Sequence, residues 1–137
     1  MQTGHVGMVQ TILDDLLRSG APAALDFAVT SGLRDDVLLQ SAADRDAPVL
    51  KYEDFKCTYK DTKQLCSDEG VAFVPMVLEA IGGHWGKQAR AVWTELAKAS
   101  ALASGELASF SAVHLQQKLG FALHKENARA ILRRLAR

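Results

Sequence analysis

From Ala24 to Thr30 the chain alternates, with Leu25, Phe27 and Val29 on odd positions and Ala24, Asp26, Ala28 and Thr30 on even ones. A period of two predicts a buried strand, with a large apolar row on one face and small residues around one carboxylate on the other. Val71 to Leu78 is apolar almost without interruption and holds Pro75, which predicts a second buried strand whose proline marks an edge or a bulge. Between them, Asp35 to Ala43 has weak helical character, and Val49 to Asp68 reads as one long helix closed by Gly70. A strand, a helical crossover and a strand form a βαβ unit, for which parallel strands and a right-handed connection are expected.

Helical spacing recurs outside this unit. Val9, Ile12, Leu13, Leu16 and Leu17 predict a short amphipathic helix over Met8 to Arg18, which the βαβ arrangement would lay on the sheet. Ala89, Val92, Trp93 and Leu96 form the apolar stripe of a helix from Gly86 to Leu102, and Glu106 to Leu119 and Lys125 to Leu135 read as two further helices around Gly120. The expected fold class is therefore α/β: a small, partly parallel sheet with a βαβ unit covered by helices, plus a helical C-terminal tail. Residues 1–103 form the core in this reading and 104–137 the tail.

The 137 residues, 48% hydrophobic and 23% charged, suit one globular domain able to bury a core without covalent staples. No apolar run approaches the roughly 20 residues of a membrane span, and the amino end lacks a charged-then-apolar leader pattern. The expectation is an intracellular protein, nuclear or cytoplasmic, with no membrane partner and no small-molecule cofactor. Cys57 and Cys66 fall on opposite sides of the expected helix, so reduced thiols are expected rather than a disulfide or a shared metal. The formal net charge of zero hides a division: Met1 to Gly83 holds 7 Lys+Arg against 13 Asp+Glu, and His84 to Arg137 holds 9 against 3. A basic tail suits either a nucleic-acid contact or a solvated helix face.

Asp is depleted in strands because its charge resists desolvation, so Asp26 asks for a reason: a position near water, or a metal or nucleic-acid site. On the following helix Tyr52, Lys56, Tyr59 and Lys63 are spaced by four, three and four and would share one face, suited to phosphate. The same lysines alternate with Glu53, Asp54 and Asp61, as on a solvated helix laced with ion pairs. Gly82 to Lys87 follows a strand and opens a helix, where backbone amides could hold an anion or where a tight turn could pack Trp85 on the sheet; it is not a P-loop. No histidine pairs with a cysteine at zinc-like spacing. In the tail, Lys125, Arg129 and Arg133 are candidates for phosphate contact, with Ala128, Ile131, Leu132 and Leu135 opposite them.

The order Asp26-Phe27-Ala28-Val29, Lys56-Cys57-Thr58-Tyr59, Gly70-Val71-Ala72-Phe73-Val74-Pro75 and Gly82-Gly83-His84-Trp85-Gly86 resembles the C-terminal restriction-endonuclease-like region of retroelement proteins that also carry a reverse transcriptase. The resemblance covers roughly Ala23 to Ala97 and implies a truncated endonuclease-like core over 1–103, with Mg²⁺-dependent DNA nicking as the ancestral activity. It implies Asp26 as a metal-holding catalytic carboxylate, Lys56 as the charge-stabilising lysine and Tyr59 as the residue orienting water or phosphate, with DNA or RNA as partner. The family's first carboxylate, in a Pro-Asp motif about a dozen residues before Asp26, has no counterpart: that interval holds only Asp14 and Asp15, inside an expected helix. Mg²⁺ needs oxygen donors converging at about 2.1 Å, so Asp15 or Glu79 substitutes only if the fold brings it within about 4–5 Å of Asp26. A degenerate, inactive nuclease segment is the expectation, and a non-catalytic nucleic-acid-binding or purely structural fragment is the alternative.

Overall fold

The computed structural model describes residues 20–136. The Met8 to Arg18 helix, Asp14 and Asp15 lie outside the described residues. Strand β1 (Ala23–Thr30) and strand β2 (Ala72–Glu79) pair in parallel, in a continuous register that sets Asp26 opposite Pro75 and Thr30 opposite Glu79. The crossover carries α1 (Leu38–Ala43), α2 (Ala47–Thr58) and α3 (Thr62–Asp68). The α/β class is that expected from the two strand patterns. Pro75 lacks an amide donor and sits fully buried in an unbulged ladder, so it marks an edge strand of the two-stranded sheet.

The chain forms two compact units, one running through Val92 and the other beginning at Trp93. In the first, Val37, Val49, Val74, Met76, Val77, Trp85 and Ala89 make the core. Both α2 and α3 pack on β2, which is why its side chains are covered along most of its length. After β2 the chain reverses through Gly83, whose φ of 68° is open to glycine and costly for other residues. The returning segment then pairs with the strand it left: Glu79 N–H donates to His84 O at 2.8 Å and Gly86 N–H to Val77 O at 2.8 Å. The second unit contains the end of α4 (Lys87–Ser104) and all of α5 (Ala108–Leu135), with Ala97, Ala101 and Ser111 buried.

Four expectations are corrected. The large apolar row of β1 does not face the core, since Leu25, Phe27 and Val29 are exposed while the small-residue face with Asp26 is the covered one. The Val49 to Asp68 helix is broken after Thr58, because Lys60 and Asp61 take left-handed backbone angles, φ 51° and 54°. Gly120, conversely, breaks nothing and lies inside the 28-residue α5. Finally, Ile131, Leu132 and Leu135, on the apolar side expected of the tail, are exposed on α5.

Candidate functional site

Alternation along β1 turns Ala24, Asp26, Ala28 and Thr30 toward the crossover. Lys56, in the last turn of α2, reaches across that face and sets Nζ 2.9 Å from Asp26 Oδ2. The two side chains are 24% and 38% exposed, so the pair is shielded on one side and wet on the other. Lys56 Nζ also lies 5.9 Å from the Tyr52 ring centroid, one helical turn back. A strand carboxylate and a helix ammonium therefore meet on the crossover side of the βαβ unit.

Tyr59 is placed differently. It is the C-terminal cap of α2, its N–H donates to Phe55 O, and its ring packs against that of Phe55, tilted by 36° at a centroid distance of 5.2 Å. Among the described residues it makes no hydrogen bond to Asp26 or Lys56. Lys63 belongs to α3, beyond the left-handed break, so the single face expected for Tyr52, Lys56, Tyr59 and Lys63 does not exist as one helical stripe. Lys125, Arg129 and Arg133 are exposed on α5, in the second unit, and Arg129 is paired with Glu126.

Among the described residues, the donor set around Asp26 does not make a Mg²⁺ site. Its carboxylate is engaged by an ammonium, and no group of three or more His, Cys, Asp or Glu among the described residues could hold a metal ion. Glu79 is not the missing carboxylate: it lies opposite Thr30, four residues up the ladder from Asp26, or about 13 Å along the strand. Its buried side chain is consumed locally, accepting from Gly32 N–H at 3.3 Å, from Ile81 N–H at 2.9 Å and from Gly82 N–H.

The amides of the turn and of the following helix start are taken up by two of the protein's own carboxyl groups. One is Glu79. The other is Glu53 of α2, which accepts from Gln88 N–H at 3.0 Å at the amino end of α4. Glu53 was grouped with the solvated acids of its helix, yet it is only 4% exposed. Burial pushes its carboxyl from the ordinary 4.5 up to about 7, with the Gln88 N–H pulling the other way. Gly86 makes room for it, since a Cβ there would stand 2.1 Å from Glu53 Oε1. A glycine directly before a helix start is the sequence signal for such a buried cap. Nearby, His84 lies between Glu79 at 3.9 Å and Asp46 at 3.8 Å, too far for direct hydrogen bonds. Cys57 and Cys66 are free thiols, and burial raises the pKa of Cys57.

Comparison with protein-family models, with curated proteins and with solved structures finds no match.

Proposed function

We propose that the chain carries a retroelement-derived, restriction-endonuclease-like segment whose ancestral reaction was Mg²⁺-dependent DNA nicking, and which no longer cuts. The observation that supports this reading is the Asp26–Lys56 contact of 2.9 Å, joining a strand carboxylate to a crossover-helix lysine. In a competent site of this chemistry, carboxylates hold the metal and a lysine steadies the attacking water or the developing charge. Here Lys56 neutralises Asp26 instead. Lys56 then serves as a phosphate contact whose charge Asp26 partly cancels.

Supercoiled plasmid incubated with the chain over a range of Mg²⁺ concentrations is expected to stay supercoiled. Open circle produced by the chain and lost in Asp26→Asn would show an active site and overturn the inactive half of the proposal. Duplex-DNA affinity is expected to rise in Asp26→Asn and fall in Lys56→Met. Affinity indifferent to both substitutions would remove the nuclease-like surface altogether.

A non-catalytic nucleic-acid contact through α5 is favoured by a separate observation: Lys125, Arg129 and Arg133 recur every four residues and are all exposed. Such a contact loses affinity steeply with added salt and depends on Arg129 and Arg133 rather than Asp26.

A further inference from the structure

Aromatic rings with large apolar faces ordinarily end in cores, but α2 sets a row of them on the surface. Tyr52, Phe55 and Tyr59 stand with successive centroids 5.5 and 5.2 Å apart, and Phe55 and Tyr59 are 48% and 49% exposed. Cations lie near the two end rings. Arg34 Cζ lies 5.6 Å and Lys56 Nζ 5.9 Å from the Tyr52 centroid, and Lys60 Nζ lies 5.3 Å from that of Tyr59. Beside Tyr52 and Phe55 the surface opens into a cleft of about 410 Å³, whose walls include Val37, Pro48 and Lys51.

The backbone spends energy on this arrangement. Lys60 and Asp61 both adopt left-handed angles, which side chains disfavour, and the break follows Tyr59, the C-terminal cap of α2, with Lys60 lying over its ring. Strain of this kind collects where a side chain must be aimed.

We propose that the Tyr52–Phe55–Tyr59 row, with Arg34 and Lys60 laid over its ends, binds single-stranded nucleic acid by stacking unpaired bases on its rings. Half-exposed rings interleaved with cations are the elements of a single-strand platform: π faces accept any base, and the cations meet the phosphates between them. A duplex cannot use the row, because its bases are already stacked on one another. Arg34 also pairs with Asp36 and Lys56 with Asp26, so part of the charge beside the row is already neutralised, and stacking adds to a salt-dependent phosphate contact rather than replacing it. The proposal stands on the aromatic row and holds whether or not the Asp26–Lys56 pair is the relic of a nuclease.

Fluorescence anisotropy with labelled twelve-nucleotide dT and rU strands, and with a duplex of equal length, tests it on the full chain. Single strands are expected to bind tighter than the duplex, the tighter of the two strands identifying DNA or RNA as the ligand. Tyr59→Ala and Phe55→Ala are each expected to lose roughly 5- to 150-fold in affinity, the range for one lost base stack, while Tyr59→Phe retains binding because it keeps the ring. Equal affinity for duplex and single strand, no binding of either strand, or undiminished binding by a Tyr59→Ala chain with unchanged circular dichroism would overturn it. Should Tyr59→Ala unfold, Tyr59→Leu decides, because it keeps apolar bulk without the ring: weakened single-strand binding supports stacking, and undiminished binding refutes it.

Discussion

Glu53 is the most exposed part of this fold to a quantitative check, although it is among the least exposed to solvent. Its carboxyl, at 4% exposure, titrates near 7 instead of 4.5 because burial penalises the charged form more than the Gln88 N–H rewards it. The folded chain thus keeps a proton between these values that the unfolded chain has released. Where the native state binds more protons, stability falls as pH rises, so the loss begins near pH 4.5 and is complete once pH passes about 7. At 1.36 kcal/mol per pH unit the shift amounts to about 3 kcal/mol at pH 8. Glu53→Gln keeps the shape and the acceptor for Gln88 N–H but cannot ionise. Urea unfolding of both chains at pH 5, 6, 7 and 8, followed by fluorescence of Trp85 and Trp93, isolates the effect, because all other titrating groups cancel in the difference. The variant should match the parent near pH 5 and exceed it by about 2–3 kcal/mol at pH 8. A difference that stays constant across this range would refute the assignment of Glu53 as a buried, proton-holding cap.

Two further substitutions probe the same unit. Gly86→Ala forces a Cβ against Glu53 Oε1, at 2.1 Å, and should cost about 1–3 kcal/mol by thermal or urea unfolding; much of that cost should vanish in a Glu53→Ala background. Lys60→Gly relieves a left-handed residue at φ 51° and should raise stability by up to about 1 kcal/mol after the entropy of the unfolded glycine is counted. The same substitution removes the cation over Tyr59 and should weaken single-strand binding, so stability and binding move in opposite directions.

Much of the βαβ unit was legible because its signals are local: period two around Asp26, an apolar run around Pro75, and a helical stretch between them. What the alternation cannot say is which face will be covered. Leu25, Phe27 and Val29 have the hydrophobic payload, yet the face of Ala24, Asp26 and Ala28 is the less exposed one, and that is the side on which Lys56 reaches Asp26. The break at Lys60 and Asp61 carries no glycine, proline or asparagine to announce it, and it moves Lys63 off the face that spacing assigned. Gly120 was read as a stop, yet a glycine costs only about 1 kcal/mol against alanine inside a helix, too little to interrupt the helix-forming residues on both sides of it. The buried role of Glu53 depends on Gly86, 33 positions away, and no helical periodicity contains that contact.

The Asp26–Lys56 contact is tested most directly by a double-mutant cycle, with Asp26→Asn, Lys56→Met and their combination unfolded in urea at neutral pH and low salt. For a pair 2.9 Å apart and partly shielded, the expected coupling is about 0.5–1 kcal/mol, shrinking as salt is added. Strictly additive single substitutions would mean that strand and helix do not share a site, and the nuclease-like reading would lose the contact on which it stands.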